Sequence, residues 1–253
     1  MRDSLKSYWK TVSELVDEIA CEKHNEEAFS KAAELIADRL SKDELVYLVG
    51  PGGHSNMTTE ETLCRAGLPV QLSPMIDCTN LIFGTTKTRF LQRSGNYAKG
   101  LLEQYYIKGG DVLIVVNSYG INYLCVDLAL EARKLGAKVI AITSTKHCSQ
   151  IEAGHPARHP SGQNLKDVVD VYLDSKMPFG DVTTEVSGVD QLLGPVSTIG
   201  NVFTMNMLMM EAVERLVEKG VSPKIWRSIN LPGGDEYNKT YFHDYGDRIK
   251  YLL

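Results

Sequence analysis

A chain of 253 residues, 43% hydrophobic and 23% charged with a formal net charge of −5, has the composition of an ordinary globular protein and is long enough to bury a large core. Its basic residues are scattered, which argues against nucleic acid as a partner, because binding to a phosphate backbone needs a concentrated cationic face. The five cysteines (Cys21, Cys64, Cys78, Cys125, Cys148) are odd in number and form no CxxC pair, so neither a disulfide framework nor a thiolate zinc site is expected. Met1 leads into an amphipathic charged segment, and no run approaches the roughly 20 apolar residues of a membrane span. The expected compartment is the cytoplasm, with no membrane partner.

Two helices are predicted first. Leu5, Tyr8, Trp9, Val12, Leu15, Val16 and Ile19 recur at helical spacing; Phe29, Ala32, Ala33, Leu35, Ile36 and Leu40 do so again after Asn25, which reads as an N-cap followed by Glu26 and Glu27. The run Leu45–Val49, ending in Gly50, then has the continuous apolar character of a buried parallel strand. Val112–Val116 is a second strand, Leu124–Leu135 a helix closed by Gly136, Lys138–Ile142 a third strand and Val168–Leu173 a fourth. A long helix from Ser197 to Lys219 stops at Gly220 and Pro223, and Ile225–Ile229 reads as a last strand before a short C-terminal helix. Strands alternating with helices predict an α/β fold: a three-layer α/β/α sandwich on a mostly parallel, doubly wound, Rossmann-like sheet. With no linker, repeat or low-complexity tract, residues 1–253 read as one domain, with 1–42 an N-terminal helical pair.

Ligands of open parallel sheets bind outside the carboxyl ends of the strands, beside helix N-termini. Two loops are expected there. Gly50-Pro51-Gly52-Gly53-His54-Ser55-Asn56 follows the first strand and precedes a helix expected near Met57. Its glycines allow close backbone approach, the helix start attracts negative charge, and Ser55 adds a hydroxyl. It is neither a P-loop nor a GxGxxG fingerprint. Asn117-Ser118-Tyr119-Gly120-Ile121-Asn122 follows the second predicted strand. Each segment alone is also explained as a tight turn; two on adjacent strands point to a pocket for a small anion.

The succession strand–GxGxS–helix, strand–(S/N)-S-x-G-x-(N/T)–helix and Val139-Ile140-Ala141-Ile142-Thr143-Ser144 resembles the sugar isomerase (SIS) domain family, which includes phosphoheptose isomerase. The resemblance runs from about Leu45 to the C-terminus. Arg65-Ala66-Gly67, His159-Pro160-Ser161-Gly162, Gly194-Pro195-Val196-Ser197-Thr198 and Pro232-Gly233-Gly234-Asp235-Glu236 are similar to a single-domain branch labelled as phosphosugar isomerases. The family's second loop reads Ser-x-Ser-Gly-x-(Ser/Thr), its hydroxyls holding phosphate; here those three positions are Asn117, Tyr119 and Asn122. Amides and a phenol still donate, so the resemblance implies an anion site at Gly52, Gly53, Ser55, Asn56, Asn117, Ser118, Tyr119, Gly120, Asn122 and Ser144, with phosphate or sulfonate as its charged group.

Aldose–ketose isomerisation through an enediol needs a base, commonly a carboxylate, and an acid to open the ring. Glu60 and Glu61 are expected about one turn into the helix after the first loop, where acidic residues are also ordinary dipole partners. The resemblance implies that Glu61 is the base. It supplies no histidine at Ser73–Asn80, where several relatives carry one, so His54 and His159 are the candidate acids, with His243 a further one. Phosphoheptose isomerases bind zinc through a histidine one turn before the glutamate; Met57 and Thr58 stand here, and neither a metal nor a cofactor is expected. The Met205, Met207, Met209 and Met210 cluster reads as core or subunit interface. The resemblance implies a homodimer or dimer of dimers packed through the N-terminal helix. Alternatives to an isomerase of a sugar phosphate are an isomerase of a sulfonated sugar, an amino-sugar-phosphate deaminase and a non-catalytic sugar-phosphate sensor.

Overall fold

The central strands are apolar at nearly every position because both faces of the sheet are covered. In the computed structural model, which describes residues 1–79 and 84–253, five parallel strands stand in the order β2-β1-β3-β4-β5. They are β1 (Val46–Val49), β2 (Leu72–Pro74), β3 (Val112–Val116), β4 (Lys138–Thr143) and β5 (Val171–Asp174). Alternate residues face opposite ways. Val46, Leu48, Val112, Ile114, Val116, Ile140 and Ile142 pack against helices α1 (Asp3–Cys21), α2 (Lys23–Leu40) and α8 (Ser197–Glu218). Val49, Leu113, Val115, Val139 and Ala141 pack against α5 (Tyr97–Gln104) and α6 (Tyr123–Lys134). The three-layer α/β/α arrangement follows. Each fully buried Leu, Ile or Val in these layers is worth about 1.5–3 kcal/mol relative to exposure.

The remaining helices are α3 (Gly53–Glu60), α4 (Thr85–Leu91), the four-residue α7 (Thr145–Cys148) and α9 (Gly234–Tyr245). An antiparallel hairpin, β6 (Val182–Thr184) with β7 (Leu193–Pro195), stands outside the main sheet. A third cluster, Leu45, Val70, Trp226, Tyr245, Ile249 and Leu252, packs the C-terminal segment beside the β1–β2 side. The short β2 and the hairpin escaped the pattern reading because three residues carry too little periodicity.

Two sequence expectations are corrected. Asn25 is not an N-cap: α2 begins at Lys23, and Asn25 is fully buried, donating through Nδ2 to the carbonyls of Ile19 and Asp174 (both 3.0 Å) and accepting from the Asp174 N–H (2.8 Å). It ties the helical pair to β5, which a surface cap would not do. Ile225–Ile229 is not a strand; only Ile225 makes an isolated antiparallel bridge, to Pro69 in the segment ahead of β2, where Trp226 also exchanges backbone hydrogen bonds with Gly67 and Leu68. On α1 only Leu15 and Ile19 are buried, while Leu5 (57%) and Trp9 (68%) are exposed. Among the methionines of α8, Met205 and Met209 are core and Met210 is exposed. Asn80, the end of the segment without histidine, lies outside the described residues.

Candidate functional site

The strand order reverses between β1 and β3: from β1 the chain moves outward to β2, then returns past β1 to β3. A crevice at the carboxyl ends opens at such a switch point, and the loops after these two strands are the two glycine-bearing segments.

The first segment is more helical than its glycines suggested. α3 starts at Gly53, not near Met57. Gly50 lets this turn close: a Cβ there would lie 2.2 Å from the Ser55 carbonyl oxygen. The N–H groups of Gly53, His54 and Ser55 open the helix and meet no acceptor among the described residues, as the first turn of a helix dictates. His54 is exposed, Ser55 partly so, and Asn56 buried.

The earlier start also moves the carboxylates. Glu60 is the last residue of α3 and Glu61 its C-cap, two turns in rather than one, so the dipole partnership offered for them does not hold; acids at this end are opposed by the macrodipole. Glu61 pairs with Arg65 (Oε1–Nε 3.0 Å), and Glu60 is exposed. His54, Met57 and Glu61 follow i, i+3, i+7 spacing and share the outward face of α3, with His54 and Glu61 about 10 Å apart along the axis.

In the second segment the side chains hold the loop together. Asn117 donates from Nδ2 to the Pro51 carbonyl (3.3 Å), joining the two loops, and accepts at Oδ1 from the Gly120 N–H (2.8 Å). Ser118 donates to Asn201 Oδ1 on α8 (2.9 Å), Asn122 to the Ala157 carbonyl (3.1 Å) and Ser144 to the Met177 carbonyl (2.6 Å). The donors expected to face an anion are thus engaged by protein oxygens. What remains is main chain: the N–H groups of Ser118, Tyr119, Ile121 and Asn122 find no acceptor among the described residues. Successive N–H groups of this kind form an anion-binding concavity. Gly120, at φ +63, adopts a left-handed conformation that L side chains avoid, and a Cβ there would lie 2.4 Å from Thr143 Oγ1.

Tyr119 is 38% exposed at the rim, its ring edge-on to His147 (4.5 Å between centroids); His147 in turn stacks on Phe179 (5.2 Å). Burial lowers the His147 pKa below its ordinary 6.5 and raises that of the Tyr119 phenol, so at neutral pH this wall is uncharged and the phenol keeps its proton. A second helix start lies close by. There Asp181 accepts from the N–H groups of Val196 (2.9 Å) and Ser197 (2.7 Å) and from the Ser197 hydroxyl (2.8 Å) at the beginning of α8.

His159 does not reach the loops with its ring. Its Nε2 lies 3.0 Å from Asp127 Oδ1 and its Nδ1 2.7 Å from Ser161 Oγ; only its backbone N–H meets the second segment, at the Ile121 carbonyl (2.7 Å). With both ring nitrogens partnered, it acts as a tether there. His243 is an exposed residue of α9 beside Asp244. Asn201, His147 and Asp181 escaped the sequence reading: single polar residues in helices or a loop carry no motif, and only the fold gathers them.

Residues 7–144, just over half of the chain, match the family model described as the SIS domain. The chain belongs to the SIS domain family. A UPF0309 protein of Brucella anthropi is 36% identical to this SIS protein over 227 residues, 89% of this chain and 90% of that one. Among solved structures, the phosphoheptose isomerase of Neisseria gonorrhoeae aligns with a TM-score of 0.53 at 14% identity, covering 85% of this chain and 97% of that chain. The sugar isomerase domain of an RpiR transcription factor from Sphaerobacter thermophilus aligns with a TM-score of 0.50 at 16% identity, covering 87% of this chain and 94% of that one. At such identities the likeness is one of fold. Among the described residues of this SIS protein, no helix is long and apolar enough to cross a membrane.

Proposed function

We propose that this protein is an aldose–ketose isomerase of an anionic sugar, most simply a sugar phosphate. One observation carries the reading. Two sets of main-chain N–H groups without an acceptor among the described residues stand after β1 and β3 at the switch point, while Glu61 stands at the far end of α3 on the same face as His54. An eight-residue helix is about 12 Å long, which suits a ligand with its charge at one end and its reacting carbons toward the other. In this reading the N–H groups of Gly53, His54, Ser55, Ser118 and Tyr119 hold the anion, and Gly52, Asn56, Asn117, Gly120, Asn122 and Ser144 keep the loops in shape. Glu61 removes the proton from the carbon beside the carbonyl and returns it to the neighbouring carbon of the enediol, and His54 serves as the ring-opening acid. Glu60 is the reserve carboxylate. The phosphoheptose isomerase of like fold supports the reaction class, and the family membership supports a phosphosugar.

A non-catalytic sugar-phosphate sensor is the second reading. It is favoured by the Glu61–Arg65 ion pair, which engages the proposed base, and by the fold likeness to a transcription factor's sugar isomerase domain. Incubation in heavy water with five- to seven-carbon aldose and ketose phosphates, amino-sugar phosphates and sulfonated sugars separates the possibilities. Deuterium incorporated next to the carbonyl supports the isomerase, and ammonia release supports a deaminase. Binding with neither exchange nor turnover would leave the sensor. We further propose a single-domain cytoplasmic protein that forms a homodimer or dimer of dimers, supported by the exposure of Leu5 and Trp9 on α1.

A further inference from the structure

Buried polar groups are almost always hydrogen-bonded, so an unpaired one calls for an explanation. Beside the site, one such atom among the described residues is Thr143 Oγ1, but it lies directly beneath Gly120 and is sealed from a ligand. Asn201 is different. It is 2% exposed on α8, the helix against which α3 packs. Its Oδ1 accepts from the Ser118 hydroxyl at 2.9 Å, while its Nδ2 has no acceptor among the described residues. An amide is planar, so an oxygen held by Ser118 turns the NH2 away from that hydroxyl. Two amide donors are left without an acceptor among the described residues, on the helix that packs against α3 and next to the Ser118 of the second loop.

We infer that Asn201 is a ligand-orienting residue whose Nδ2 donates to a hydroxyl or carbonyl oxygen of the sugar, and that Ser118 is a positioning residue acting through it. The inference rests on the anionic-sugar reading and deepens it: the main-chain N–H groups take the charged end, and Asn201 takes the uncharged part. The geometry favours this division because Asn201 is neutral and buried. A side-chain amide adds no charge to attract an anion, yet it discriminates sharply among oxygens, since a buried donor left unpaired is costly. The Ser118 hydroxyl, spent on Asn201, sets which arm of the amide faces the ligand.

The test compares affinity for inorganic phosphate with affinity for a panel of five- to seven-carbon aldose and ketose phosphates, measured by calorimetry on the full-length wild type, Asn201→Leu and Ser118→Ala. Thermal melting establishes that each variant is folded. The wild type is expected to bind its best sugar phosphate more tightly than inorganic phosphate. Asn201→Leu is expected to lose about tenfold or more of that sugar-phosphate affinity, the value of one well-placed hydrogen bond, while phosphate affinity stays within about twofold. Ser118→Ala, which leaves the amide in place but free to turn, is expected to give a smaller loss of the same kind and serves as the second variant should Asn201→Leu not fold. Equal sugar and phosphate affinities in the wild type, or variants that shift melting alone and leave both affinities unchanged, overturn the inference; the second result identifies Asn201 as a partner of buried water. A wild type that binds neither phosphate nor any sugar phosphate overturns the anionic-sugar reading itself.

Discussion

Asn117 Nδ2 donates to the carbonyl oxygen of Pro51, 66 residues earlier, at 3.3 Å, and this contact joins the two loops at the switch point. Its Oδ1 at the same time accepts the Gly120 N–H. Asn117→Ala is therefore expected to cost about 1–3 kcal/mol, the penalty for stranding a buried polar group, read by urea denaturation. It is also expected to weaken phosphate binding, because both N–H clusters lose their common anchor. Unchanged stability would mean that the loops hold their shape without it.

Glu61→Gln tests the base. Removing a general base typically lowers turnover about 10²–10⁴-fold, whereas affinity for the sugar phosphate is expected to remain within about tenfold, since an amide keeps the size and one oxygen of the carboxylate. Stability should barely move, because a partly exposed pair such as Glu61–Arg65 is worth at most about 1 kcal/mol. Full activity in a turnover assay ends the assignment of Glu61.

Gly120→Ala is expected to be disproportionately damaging for one added methyl group. The left-handed φ of +63 strains any L side chain, and the new Cβ would meet Thr143 Oγ1 at 2.4 Å. A loss of about 1–3 kcal/mol with weaker phosphate binding is expected by denaturation and calorimetry. Gly162→Ala, also at positive φ but with open space around it, serves as the control for backbone strain without collision.

Away from the site, Asp43 sets a pH dependence. Burial alone would raise its pKa, but hydrogen bonds from Lys224, Tyr245 and Arg248 outweigh it and hold the carboxyl at about 2, below its ordinary 3.8. A lowered carboxylate pKa means that the unfolded chain binds more protons than the folded one between those values. The stabilisation is therefore complete above about pH 4 and is lost as the pH falls toward about 2. Asp43→Asn is expected to be less stable at neutral pH and to show a flatter stability profile over that interval in denaturation series at several pH values.

The sheet was legible in the sequence because parallel strands covered on both faces read as continuous apolar runs; Val112–Val116 is buried at every position. The carboxyl-end loops were legible for the same reason, as glycine-bearing breaks after such runs. The start of α3 was not. Gly53-His54-Ser55 has the composition of a loop, and the closure at Gly50 that turns it into a helix is a contact between backbone atoms. A helix opening at Gly53 sets Glu61 two turns from its start, where one opening near Met57 would set it one turn away. Nor could composition show that Asn117, Ser118 and Asn122 point inward, because donors to protein and donors to ligand are the same residue types. Asn25 misled similarly: a good cap by type, it is a buried strut between α2 and β5 by position.

The carboxylate of Asp181 at the beginning of α8 makes that helix start a socket already filled from within the chain. On the proposed reading, its tenancy leaves this edge of the sheet asymmetric: a visiting anion would be welcomed at the start of α3 and repelled at the start of α8. A molecule with a single charged end has one way to lie across the crevice, whereas a doubly phosphorylated sugar reaching both helix starts would bring its second phosphate against a resident acid.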